Sequence, residues 1–334
     1  MGSCFSVGLN TEHFPLDGNY QDESANLKSF SFEVLKRATR NFHPDCMLGE
    51  GRFGSVFKGW IDEQSLAAAK PGTGTAVAVK RLNHESIRSH QEWLLKINYF
   101  GQLNHQNLVK LIGYCLEGDR RLLVYEFMLR GSLENHLFRG GPRLSWNRRI
   151  RVALGAAKGL AYLHSDLEPK VINVYFKPSN ILIDSSYNAK LSDFGMAKVV
   201  RGCGLVRDVG PNVYAAPEYI TAGVFNTRSE IYSFGMVLLE LLTGRRGFDL
   251  NRPSTEQTLV EFVKRFLKSK QKLLDIMDPS IQGQYSSTVA TKATLLALKC
   301  LNLNPKRRPN AQELVNALEQ IQELQIESFR KFYN

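Results

Sequence analysis

The amino-acid sequence predicts an α+β protein in which a strand-rich stretch precedes a longer helical one. Two observations carry this. Short apolar runs, several alternating like strands, recur up to about residue 127, at Val56–Trp60, Val77–Lys80, Leu108–Tyr114 and Leu122–Phe127. After Gly131 the apolar residues take helical spacing instead. Ile150, Ala153, Ala157, Leu160 and His164 share one helix face, and Ile231–Leu242 is apolar almost throughout. Strands first and helices afterwards mark the α+β class. A length of 334 residues fits one large or two moderate domains.

Composition narrows the function classes. With 43% hydrophobic and 22% charged residues the chain is an ordinary globular one, and no apolar run is long enough for a transmembrane helix. The five cysteines are scattered without C-x-x-C spacing, which reads as reduced intracellular thiols. The net charge of +11 is divided among short clusters such as Arg148-Arg149-Arg151 and Lys264–Lys272. They carry no nucleic-acid motif, so solvated faces are expected and nucleic acid is not an expected partner.

In chain order, Met1-Gly2-Ser3-Cys4-Phe5-Ser6 matches the M-G-x-x-x-[ST] pattern of N-myristoylation at Gly2. One myristoyl chain anchors only marginally, so a second signal is needed. Up to Ser29 the acidic Glu12, Asp17, Asp22 and Glu23 outnumber Lys28, which excludes a polybasic signal and leaves palmitoylation of Cys4. The expectation is a lipid anchor on the inner leaflet of the plasma membrane, with residues 1–29 as an acylated and disordered segment. Ser29–Phe42 spaces Phe32, Leu35, Ala38 and Phe42 as a short amphipathic helix, so 30–47 reads as a lead-in helix.

Next comes Leu48-Gly49-Glu50-Gly51-Arg52-Phe53-Gly54-Ser55-Val56, a G-x-G-x-x-G stretch of a kind also found in Rossmann folds. Here it runs on through Phe57–Trp60, then a Gly/Pro/Thr loop at 61–76, then Val77-Ala78-Val79-Lys80. A helix follows over about 89–103. The two apolar runs around Glu117-Gly118-Asp119 read as a hairpin leading to Glu126-Phe127-Met128. Further on stand VINVYFKPSN at 171–180, Leu191-Ser192-Asp193-Phe194-Gly195, Ala215-Ala216-Pro217-Glu218 and Lys306-Arg307-Arg308-Pro309.

In this order the motifs resemble those of eukaryotic protein kinases, and most closely the plant receptor-like cytoplasmic kinases of subfamily VII, over roughly Phe30 to Leu324. The resemblance implies a two-lobed kinase fold, with a β-rich N-lobe at 48–125, a hinge at 126–130, a helical C-lobe at 131–324 and a tail at 325–334. It implies ATP, and possible Mg²⁺, as cofactors. Leu48, Gly49, Gly51, Gly54 and Val56 would cover the nucleotide, Lys80 would hold its α/β-phosphates, and Glu126 and Met128 would meet it at the hinge, after Tyr125 as gatekeeper. Asn180 and Asp193 would bind metal, Lys177 would contact phosphate, and Glu218 would pair with Arg308. Implied partners are receptor kinases or other cytoplasmic kinases in immune or growth signalling.

Several residues depart from the pattern. Where the family has His-Arg-Asp, this chain has Asn173, Val174 and Tyr175. A phenol keeps its proton at pH 7, and ionising it costs ~4 kcal/mol, so Tyr175 is a poor general base. Lys96 stands where a helix Glu pairs with Lys80, with Glu92 one turn earlier. Two lysines ~4 Å apart would repel by about 4 kcal/mol at an effective dielectric of 20. The segment from Asp193 to Glu218 has no Ser or Thr, and Tyr214 is its one hydroxyl. Leu205 and Val206 occupy the usual phospho-acceptor positions, and Pro211 that of a substrate-site Thr. Glu230 replaces an Asp that braces the catalytic loop, although Thr227-x-x-Glu230 also reads as a capping box. Losing a general base costs about 10²–10⁴ in rate. The expectation is a membrane-anchored pseudokinase. The alternative is a weakly active serine/threonine kinase with an atypical site.

Overall fold

The computed structural model describes residues 27–51, 54–83, 90–165, 170–172, 176–192, 198–200, 213–223, 225–266 and 272–333. The chain forms two compact units, one from Met1–Thr75, Val79–Gln102 and Leu111–Val124, the other from Ala76–Ala78, Leu103–Lys110 and Tyr125–Asn334.

The first unit is built on a six-stranded sheet. In chain order it runs β1 (Lys28–Ser29), α1 (Phe32–Ala38), β2 (Met47–Gly51), β3 (Gly54–Ile61), β4 (Thr75–Leu82), α2 (His90–Gln102), β5 (Leu111–Glu117) and β6 (Arg120–Glu126). The strand order is β1-β5-β6-β4-β3-β2. Alternation decides the faces: Phe57 and Ile61 of β3 and Val77 and Val79 of β4 point into the core, each almost fully buried.

The lead-in differs from the helix expected across 30–47. Ser31 caps α1 by accepting from Val34 N, and the helix ends after seven residues. There the Thr39 hydroxyl turns back onto the Leu35 carbonyl at 2.8 Å, and Arg40, Asn41 and Phe42 all take positive φ, at 54°, 60° and 52°. Three consecutive left-handed residues cost roughly 1–2 kcal/mol each. Packing offsets this, because the turn delivers the Phe42 ring to within 5.3 Å of Phe57 and beneath the Arg81 guanidinium. Lys28 and Ser29, expected inside the disordered segment, instead pair in parallel with Gly113 and Tyr114 of β5. Gly113 is required for that approach, since a Cβ there would lie 2.0 Å from the Lys28 carbonyl oxygen.

The second unit contains α3 (Leu133–Phe138), α4 (Trp146–Leu163), β7 (Lys170–Ile172), β8 (Ile181–Ile183), β9 (Ala189–Leu191), β10 (Lys198–Val200), α5 (Pro217–Ala222), α6 (Thr227–Thr243), α7 (Leu259–Lys264), α8 (Ser287–Cys300) and α9 (Ala311–Tyr333). The apolar run predicted at 231–242 is α6, buried along nearly its whole length at the centre of the unit. Its cap is not the predicted Thr227–Glu230 box. Asn226 caps it, accepting from Arg228 N and Ser229 N, while Ser229 Oγ accepts from Asn226 N. Both residues can cap, and Glu230 turns inward instead. The helix α9 continues past Leu324 to Tyr333, through the residues set apart as a tail. Gln325, 4% exposed, donates to the Gln284 carbonyl. Among the described residues no helix is long and apolar enough to cross a membrane.

Candidate functional site

In the first unit the glycine-rich stretch folds as the β2–β3 hairpin, with Gly51 opposite Gly54 and Gly49 opposite Val56. The three glycines serve different ends. A Cβ on Gly54 would lie 2.0 Å from the Arg81 carbonyl oxygen of β4, so this glycine is needed by the sheet itself. A Cβ on Gly49 or Gly51 would meet nothing within 4 Å, so the fold alone does not require glycine there. Ser55 Oγ donates across the hairpin to Glu50 Oε1 at 3.2 Å. Leu48 is left 48% exposed, Val56 is half-buried, and Lys80 is buried within β4. On α2, Trp93, Ile97 and Phe100 bury one face, with Trp93 edge-on to Tyr114 of β5. Glu92 and Lys96 lie on this helix, but their side chains fall outside the described residues.

In the second unit Phe176 is buried against Phe234 of α6 and sets the start of a 3-10 turn, Pro178–Asn180. Asn180 N donates to the Lys177 carbonyl, and the Asn180 carbonyl accepts from both N and Oγ of Ser192 at 2.9 and 3.0 Å. The β8–β9 hairpin makes this possible by running Ile181–Ile183 antiparallel to Ala189–Leu191. Asn180 is thereby fixed beside the residue that precedes Asp193 in sequence. Asp193, Asn173, Val174 and Tyr175 lie outside the described residues, as do Gly2, Cys4, Leu205, Val206 and Pro211. At the predicted hinge, the Glu126 carboxylate is committed to Lys190 Nζ at 2.7 and 2.9 Å and to Lys110 N at 2.8 Å. The buried Met128 accepts from Gly131 N through its carbonyl.

Glu218 and Arg308 meet in a bidentate pair, with Nη1–Oε1 and Nη2–Oε2 distances of 2.6 and 2.7 Å. Glu230, wholly buried, sits 2.6 Å from His164 Nε2. Sequence reasoning missed Glu240, although a lone acid within the apolar run of α6 was a signal. Its Oε1 accepts from Tyr214 OH at 3.0 Å and Gly247 N at 2.6 Å. Burial pushes the Glu240 carboxyl up to about 8, against the pull of those hydrogen bonds. Burial, then the neighbouring Glu240, pushes the Tyr214 phenol far above its ordinary value. The one hydroxyl of the 193–218 segment is thus bonded to a buried carboxyl from a half-buried ring. A cavity of about 200 Å³ beside it is lined by Lys177, Tyr214, Glu134 and Arg246, among others. Among the described residues no cluster of His, Cys, Asp or Glu is arranged to hold a metal.

A family described as protein tyrosine and serine/threonine kinase matches residues 42–318. A probable serine/threonine-protein kinase PBL11 of Arabidopsis thaliana is 57% identical over 306 residues, covering 90% of this chain and 78% of its own. The receptor-like cytoplasmic kinase 176 of rice is 55% identical over 308 residues, with the same coverage. The chain belongs to the plant receptor-like cytoplasmic kinases. The Arabidopsis serine/threonine-protein kinase BIK1 is similar as well, at 54% over 307 residues, 90% of this chain and 78% of the relative. Members of the protein kinase family use ATP and Mg²⁺, and the residues of this receptor-like cytoplasmic kinase fit them. Within the first unit the hairpin leaves open space at Gly49 and Gly51 and Lys80 is buried in β4, and within the second Asn180 stands on a fixed turn.

Proposed function

We propose that this receptor-like cytoplasmic kinase is a signalling protein that binds ATP and transfers phosphate to serine or threonine hydroxyls slowly. The observation that carries the reading is the retention of Lys80, buried in β4, together with Asn180, tied to Lys177 and Ser192. The names of its relatives, all serine/threonine-type or receptor-like cytoplasmic kinases, support the same chemistry. ATP with Mg²⁺ supplies the phosphoryl group. Lys80 and Lys177 would hold phosphate oxygens, Asn180 and Asp193 the metal, and Glu126 and Met128 the base through their backbone. Tyr175, a neutral phenol at pH 7, cannot take the acceptor's proton. From an ordinary rate of ~1–100 s⁻¹, loss of the base leaves a rate about 10²–10⁴ lower. The signalling role we propose is at the plasma membrane, anchored through Gly2 and Cys4, beside receptor kinases or other cytoplasmic kinases.

A second reading, a pseudokinase without phosphotransfer, is favoured by the joint appearance of Tyr175, Lys96 and Pro211. Phosphotransfer from labelled ATP to a generic substrate, with Lys80→Met as control, separates the two. Slow transfer abolished in Lys80→Met supports the kinase. No transfer, with a thermal shift by Mg-ATP, leaves the pseudokinase. Neither transfer nor nucleotide binding overturns both.

A further inference from the structure

In the second unit three arginines, Arg130 at the end of the predicted hinge and Arg148 and Arg151 of the basic run on α4, surround one turn. The turn joining β8 to β9 carries Tyr187 at φ 65°, an uncommon conformation for a bulky residue. Two guanidinium groups lie over its ring, those of Arg130 at 3.9 Å and Arg148 at 3.8 Å from the centroid. Arg130 Nε also donates to the Ser185 carbonyl, and Arg151 Nη1 to the Ser186 carbonyl. All three arginines are therefore held around one five-residue turn, with Arg148 and Arg151 exposed.

Asp184 is the turn's carboxylate, and it accepts from Ser186 N, Asn188 N and Asn188 Nδ2 within the turn. Among the described residues, no acid forms an ion pair with Arg130, Arg148 or Arg151; their bonds go to carbonyls and to the ring. Arg130 and Arg148, each within 4 Å of the same centroid, are no more than about 8 Å apart, where like charges at a surface repel. A backbone outlier that holds like charges together invites a functional account. An anion would relieve the repulsion. Stacking on the ring fixes the planar guanidinium and leaves its N–H edges as donors, the geometry that matches phosphate oxygens.

We propose that the β8–β9 turn, with Arg130, Arg148 and Arg151, docks a segment of a partner protein phosphorylated on serine or threonine. A localised set of oriented arginines suits a single dianion better than a bilayer, which a broad basic face would serve. The nearest lysine in the sheet, Lys190, is already paired with Glu126. The choice of a phosphorylated protein rests on the signalling role proposed above, but the binding test does not depend on phosphotransfer.

The probe is a short fluorescein-labelled peptide with one phosphothreonine flanked by Gly and Ser, titrated against the full chain by anisotropy. The expected result is binding to this peptide and not to its unphosphorylated form. Arg148→Glu with Arg151→Glu should weaken binding about tenfold or more. Arg148→Lys, which keeps the charge and loses the fork, should fall between. Unchanged melting temperature of each variant serves as the folding control. A variant that melts early is replaced by Arg151→Gln alone, for which a several-fold loss is expected. Equal binding by wild type and charge-reversed protein overturns the proposal, as does no binding of the phosphopeptide. Arginine-dependent binding to phosphatidylcholine–phosphatidylserine vesicles without phosphopeptide binding overturns it in favour of a membrane face. Competition by inorganic phosphate at the peptide's own affinity reduces it to a site for a free ion, which also overturns it.

Discussion

Removing Arg308 tests how the end of the 193–218 segment is held. Its side chain has no solvent exposure, and besides Glu218 it donates to the carbonyls of Asn302 at 2.8 Å and Arg228 at 2.9 Å. Breaking a buried ion pair by deleting one partner costs about 3–5 kcal/mol, because the remaining charge is stranded. The two sides are unequal. Glu218 is 17% exposed and keeps the Ser229 hydroxyl at 2.9 Å, so Arg308→Met should fall at the lower end, ~3 kcal/mol. Glu218→Ala strands a guanidinium that no water reaches and should cost more. For a domain of this size ~3 kcal/mol is a fall of roughly 10 °C in melting temperature. Burial opposes the charged form of Glu218, but the hydrogen bonds from Arg308 and Ser229 outweigh it and hold the carboxyl below its ordinary 4.5. A depressed carboxylate contributes stability above its unfolded value and loses it as pH falls through the folded one. The gap between wild type and Arg308→Met should therefore narrow below pH 4.5. Urea unfolding of wild type, both single variants and the Arg308→Met/Glu218→Ala double variant, at pH 7 and 4, measures all of this. Strictly additive single costs, each under about 1 kcal/mol, would refute the reasoning, since contacting residues couple.

Three further outcomes follow from other parts of the molecule. Glu240 has its carboxyl raised to about 8, so its protonated form stabilises the fold below pH 4.5 and that contribution is lost as pH rises toward 8; Glu240→Gln should flatten the melting temperature between pH 5 and 8, and an unchanged slope would count against the burial account. Gly54→Ala should cost more than 2 kcal/mol through its clash with Arg81, while Gly49→Ala, which meets nothing, should leave the melt within about 0.5 kcal/mol and instead weaken the shift produced by Mg-ATP. Leu35 of α1 is fully buried, so Leu35→Ala should lower stability by about 2–5 kcal/mol, detectable by urea unfolding, even though it precedes the matched family region.

The fold class was readable because it rests on long patterns. Alternation in β3 and β4 and the apolar run of α6 each span enough residues to fix a period. The resemblance brought Glu218 and Arg308 together across 90 residues, a distance no local pattern bridges. What escaped the sequence is either too short or too contingent to leave a trace. A two-residue strand such as β1 has no period. Left-handed turns at Arg40, Asn41 and Phe42 use residues without a glycine's signature. The cap of α6 slipped by one residue because Asn226 and Thr227 are both competent, and Glu230 turns instead to His164, 66 residues away. The Arg130–Tyr187–Arg148 stack joins three separate elements, and each of its residues alone reads as an ordinary surface position.

Gly113 has a use beyond packing. Its missing side chain is the space that the Lys28 carbonyl and the Phe30 ring occupy, 2.0 and 2.8 Å from where a Cβ would stand. The presence of the docked N-terminal strand is therefore recorded in a different strand, at a position well inside the matched family region. A side chain at this position would have to displace the strand as it lies here. For the geneticist, Gly113→Ala is an allele expected to evict the lead-in from the sheet edge while leaving every lead-in residue unaltered.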